Sequence, residues 1–194
     1  MSGGIHIFWI LSRAAGISAI VLASFSVFAG LLAGRGSPIR IKRFGEMKPL
    51  HEALSLATIL LVVAHGLLLL ADSWLKPGLA GIAIPFQMSY QPFWTGVGII
   101  GGYGLIILGL TFYLRRWIGP SRWRTAHRFI AVFWILGLFH TFGAGTDAGA
   151  LWLQALVAVT ALPSLILLGM RLGDRKPSSK PKPPIGESRK SIAV

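Results

Sequence analysis

The 194-residue chain is 54% hydrophobic and 13% charged, with 24 glycines, 7 tryptophans, no cysteine and a formal charge of +13. That balance is too apolar for a soluble domain of this size, and the missing thiols exclude disulfides, thiolate-bound iron–sulfur clusters, Cys-ligated zinc and covalently attached c-type haem. The positive charge does not by itself signal a nucleic-acid partner, because a basic patch has that meaning only on a folded soluble face.

In chain order, the uncharged runs cover residues 14–34, 53–71, 77–114, 129–146 and 148–170. About 20 apolar helical residues cross a bilayer, so each run is long enough. The third exceeds one crossing, and its first part holds Pro77, Pro85, Pro92 and the polar stretch 87–91. Residues 74–92 are therefore expected to form a loop. The predicted architecture is all-α: an integral membrane bundle of five helices over about 8–33, 51–72, 93–114, 126–143 and 150–170. Residues 1–12 lack the Lys or Arg that begins a cleavable signal peptide, so the first span reads as a permanent helix. Residues 1–170 form the transmembrane domain in this reading. Residues 171–194 mix Lys, Pro and Ser with few large apolar groups and read as a disordered basic cytoplasmic tail.

Seventeen of the 19 basic residues fall in three blocks: Arg35 to Lys48, Arg115 to Arg128, and Arg171 to Lys190. The blocks follow spans one, three and five. The excess of Lys and Arg in cytoplasmic loops then predicts an outside N-terminus and a cytoplasmic C-terminus, in a multi-pass protein of the plasma (inner) membrane. Membrane lipid, rather than nucleic acid, is the expected partner of this charge.

His51 and His65 lie on the second span, His127 and His140 on the fourth, and both spans run outward from the cytoplasm. At about 1.5 Å per residue, His65 lies roughly 21 Å beyond His51 and His140 roughly 20 Å beyond His127. The four imidazoles thus form two pairs at matching depths. Imidazoles from two facing helices can take both axial positions of a haem iron, and bundle cores are where such cofactors sit. Small neighbours leave room for a macrocycle: Ala64 and Gly66 beside His65, Ala126 before His127, and Gly137 one turn before His140. Zinc fits the spacing less well, because pairs about 20 Å apart cannot share one ion. The azimuths agree on the second span only: fourteen steps bring His65 within about 40° of His51, whereas thirteen leave His140 about 140° from His127. The fourth helix is therefore irregular, or its haems are approached from different sides.

The pattern His51-x13-His65 followed by His127-x12-His140 resembles the transmembrane ferric reductase domain. That domain is shared by ferric-chelate reductases, NADPH oxidases and the bacterial haem-binding subunit serving a periplasmic methionine sulfoxide reductase. The resemblance covers roughly residues 45–145, and the Gly145-Thr146-Asp147 segment resembles bacterial members. It implies an inner b-type haem on His51 and His127 and an outer one on His65 and His140, both non-covalent. Such domains usually have six spans, and no flavin- or nicotinamide-binding domain follows the last span of this chain. The implied function is a dihaem electron-transfer subunit of an oxidoreductase, working with a quinone, a partner-borne flavin or another redox partner protein. The competing reading is a haem-free transporter or assembly scaffold whose histidines relay protons or pack. Against it, transporters usually have Gly- or Pro-broken helices near the midplane, and only Pro163 interrupts a span.

Arg13 sits within the first span, where a charge is costly unless paired; a haem propionate and the headgroup region are the two candidate destinations. Lys48, Arg124 and Arg128 are candidate propionate contacts that positive-inside topology also explains. Phe133 and Trp134 lie midway between the fourth-span histidines, either between the macrocycles or in ordinary packing. Gly98-x-x-x-Gly102 reads as a helix-packing signal. His6 reads as an incidental surface residue, and the loop 73–92 as a cover for the outer site.

Overall fold

The computed structural model describes residues 6–34 and 44–173. Four residues of the first basic block, Arg35, Arg40, Lys42 and Arg43, and the tail from residue 174 lie outside the described residues. The elements are α1 (Ile7–Ala33), α2 (Phe44–Leu70), α3 (Gly78–Ala83), α4 (Pro92–Leu110), α5 (Arg115–Ile118), α6 (Pro120–His127), α7 (Ile130–Ala144) and α8 (Leu151–Gly173). Among the described residues, five stretches are long and apolar enough to cross a membrane: Ile7–Ala33, Met47–Leu70, Pro92–Leu110, Pro120–Ala144 and Leu151–Gly173. The expected all-helical, five-span architecture is what the described residues form, as that of a multi-pass membrane protein. In lipid every backbone polar group needs an internal partner, which a continuous helix provides.

The helices form two tight antiparallel pairs, α1 with α2 and α4 with α7. Small residues permit this closeness, as packing without a hydrophobic driving force requires. On α4 the stripe facing α7 is Gly98, Gly101 and Gly104. A Cβ there would meet His140, the Phe133 carbonyl and Leu136, or the Phe133 ring. Gly102 instead faces Val62 of α2, so the packing stripe runs at spacing three rather than through Gly98-x-x-x-Gly102.

α8 closes the bundle against α1 and α7. Ile20, Ala23, Trp134, Leu138, Leu153, Val157 and Ala161 form the buried cluster. Trp134 is fully enclosed, and its Nε1 donates to Ser24 Oγ at 3.1 Å. Phe133 turns the other way, onto Gly104. Both aromatics therefore fill helix interfaces.

Two connections differ from simple turns. Between α6 and α7 the amides of Phe129 and Val132 bond three residues back, to Ala126 and Phe129. Each such step turns the chain about 20° further than an α step, which supplies part of the azimuth that regular spacing withheld from His127 and His140. The loop between α2 and α4 contains α3 and three non-glycine residues with positive φ: Lys76 (41°), Phe86 (69°) and Gln91 (44°). Such conformations cost energy and persist when the surroundings over-determine them. Met88, 3% exposed, anchors the segment by its contact with Gly81.

Candidate functional site

The antiparallel pairing of α1 and α2 and the kinked α6–α7 span bring the four histidines together in pairs. The rings of His51 and His127 lie 6.0 Å apart with planes at 84°. Those of His65 and His140 lie 6.2 Å apart at 69°. These are the pairs expected from depth along the helices.

The ring nitrogens divide their roles. His51 Nδ1 donates to the Ser26 carbonyl at 2.8 Å, His65 Nδ1 to the Ser12 carbonyl at 2.8 Å, and His140 Nδ1 to the Trp94 carbonyl at 3.0 Å. A carbonyl can only accept, so Nδ1 carries the proton and the Nε2 lone pair remains available. This is how metal-ligating imidazoles are usually oriented. His127 Nδ1 is buried without a hydrogen bond of normal geometry, although the Leu108 carbonyl is the acceptor facing it. The indole of Trp123 stacks on its ring at 5.0 Å.

A cavity of about 420 Å³ opens between the two helix pairs, lined by His65, His140, Arg13, Gly66, Gly137 and Tyr90 among others. It extends past Ala23, Thr58 and Leu105. Trp74, Leu75, Ile82 and Met88 from the α3 loop also line it. Arg13 is ion-paired to Asp147 on the α7–α8 loop and lies over the Trp9 ring at 4.2 Å. Asp147 is the partner that sequence reasoning missed: its Gly-Thr-Asp segment was singled out only for its resemblance to bacterial members of the family. Trp9 packs edge-on against Trp74, and the His6 ring lies 6.3 Å from Trp74, so His6 belongs to an aromatic cluster at this end. At the opposite end Lys48, Arg124 and Arg128 are exposed, with Arg128 in the α6–α7 turn.

The donor set fits a haem. Among the described residues no group of three or more potential metal ligands forms, so each site offers an ion two imidazoles. A porphyrin supplies four further donors. With iron–nitrogen bonds of about 2.0–2.1 Å, two opposed imidazoles on one iron hold their centroids roughly 6.3 Å apart. The two pairs lie at that separation.

The family described as ferric reductase like transmembrane component matches residues 15–138. The chain belongs to this family. The match includes His51, His65 and His127, ends two residues before His140, and takes in most of α1, beyond the 45–145 expected from the histidine pattern. Domains of this kind are generally haem-binding, and membership marks the chain as a transmembrane electron-transfer component. Comparisons with curated proteins and with solved structures return no significant match.

Proposed function

We propose that this ferric reductase-like protein is a dihaem b-type electron carrier, passing electrons across the membrane between a cytoplasmic or quinol donor and an outer acceptor. The observation that carries the reading is the pairing of four histidines at 6.0 and 6.2 Å, three of them with Nδ1–H tied to backbone carbonyls. In this reading His51 and His127 hold the inner haem and His65 and His140 the outer one. Each bound haem supplies a one-electron couple.

The chain's own residues orient and insulate these couples. The fixed tautomers present Nε2 to the site without any change of protonation. Ala23, Val62 and Leu105 line the region inward of the outer pair with apolar side chains. Arg13, held by Asp147 at the cavity wall, is suited to a propionate of the outer haem, and Arg128 to one of the inner haem. The α3 loop forms the docking face for the outer acceptor, and the basic end faces the cytoplasm. A quinone or a flavin on a partner protein completes the electron path.

Haem extracted per purified chain, together with a dithionite-reduced minus oxidised spectrum, tests the proposal. Two haems with paired-imidazole spectra are expected. One haem would remove one pair from the reading, and none would leave the haem-free scaffold. For orientation, a reporter after Val194 should be cytoplasmic and a cysteine at Ser2→Cys should react with an impermeant reagent from outside. The reverse labelling exchanges the inner and outer assignments.

A further inference from the structure

α1 contributes no histidine to either pair, yet it touches both. Ser12 and Gly16 stand four residues apart, and Ser26 and Gly30 repeat that arrangement fourteen residues later. Fourteen is also the separation of His51 and His65, and because α2 runs antiparallel to α1, Ser12 meets His65 and Ser26 meets His51. Residues four apart share a helix face, so each serine and its glycine present one surface to one imidazole.

We infer that Ser12 with Gly16, and Ser26 with Gly30, are matched clamps that fix the rings of His65 and His51 and strengthen both as iron donors. The inference rests on the dihaem reading. In each clamp the serine carbonyl takes the Nδ1 proton at 2.8 Å, and the hydroxyl oxygen lies 2.9 Å (Ser12) or 3.0 Å (Ser26) from the same nitrogen. Each hydroxyl also has an acceptor or partner on α2. Ser12 Oγ donates to the His65 carbonyl at 2.9 Å, and Ser26 Oγ lies 2.8 Å from Ser55 Oγ, which donates to the His51 carbonyl at 2.7 Å. Both serines are buried, at 1% and 6% exposure, so these partners are where their polarity is satisfied.

The glycines make the approach possible. A Cβ on Gly16 would stand 3.0 Å from His65 Nδ1, and one on Gly30 3.0 Å from His51 Cε1. Trp94 and Gly98 on α4 repeat the carbonyl-then-glycine spacing for His140, without a hydroxyl. The corresponding pair for His127 is Leu108 and Phe112, with no glycine, and there Nδ1 makes no normal hydrogen bond. Glycine at the fourth position thus accompanies a clamped ring in each case.

Two acceptors on Nδ1–H make the imidazole a better electron donor, which favours ferric iron. Removing the hydroxyl should raise the potential of the adjacent centre alone. Redox titration of Ser12→Ala and Ser26→Ala protein in detergent, with haem content and ferric g-values measured in parallel, is the test. Ser12→Ala should shift the His65–His140 centre upward by up to about tenfold in the reduction equilibrium, 59 mV for one electron. Ser26→Ala should do the same to the His51–His127 centre, and Ser12→Thr should restore the parent value. Selective loss of the adjacent haem also supports the clamp. Unchanged potentials at full haem content, or equal disturbance of both centres by either variant, overturn it. Absence of haem from the unsubstituted protein defeats the dihaem reading itself.

Discussion

Trp134 of α7 donates its indole N–H to Ser24 of α1 at 3.1 Å, and Ser164 of α8 donates to the carbonyl of the same serine at 2.9 Å. Three spans are thus joined at one buried residue, near the middle of α1 and between the depths of the two histidine pairs. Trp134→Phe removes one buried hydrogen bond and should lower stability by about 1–2 kcal/mol. Trp134→Ala, which also opens a void, should cost roughly 3–5 kcal/mol. Thermal unfolding in detergent measures both, and equal midpoints for the two variants would contradict the packing role.

The pairing of histidines makes a selective prediction. His65→Ala and His140→Ala should each lose or convert the same spectral component while the other persists, because the second pair lies on the order of 20 Å away and shares no ligand. His51→Ala and His127→Ala should affect the remaining component. Potentiometric titration separates the two. If His65→Ala and His127→Ala removed one common component, the proposed pairing would fail.

Gly98 and Gly102 separate packing from site geometry on one helix. A side chain at Gly98 collides with the His140 ring, whereas a Cβ at Gly102 would meet only Val62 Cγ1, at 3.3 Å. Gly98→Val should therefore abolish the His65–His140 haem, and Gly102→Ala should keep both haems with a small change in melting temperature. Haem stoichiometry of the two purified variants decides it.

The Arg13–Asp147 ion pair lines the same cavity as His65 and His140. Its side chains are 31% and 21% exposed, so its worth to stability should stay below about 1 kcal/mol. Its charges act on the nearby centre with opposite signs. Arg13→Gln removes a positive charge and should lower the potential of the His65–His140 centre; Asp147→Asn should raise it. Shifts of the same sign in the two variants would refute this electrostatic account.

The five spans and the spacing of the four histidines along two of them were legible from local properties of the chain. Apolar runs near bilayer length, punctuated by charge, determine where helices lie, and a fixed rise per residue converts spacing into depth. The histidine spacing also pointed to the family that the match over residues 15–138 shows.

Which residues hold the imidazoles was decided by tertiary structure. On a regular helix His127 and His140 point apart, and the turn at residues 128–129 supplies part of the rotation that brings each opposite its partner. Arg13 finds Asp147 across 134 positions of sequence, a relationship that no local pattern encodes. The Ser-x-x-x-Gly repeat on α1 was visible in the letters, but it acquires meaning only when α2 lies antiparallel with His65 opposite Ser12. Sequence periodicity fixes depth and face along one helix; the register and rotation between helices come from side-chain packing, and these determine which donor meets which acceptor.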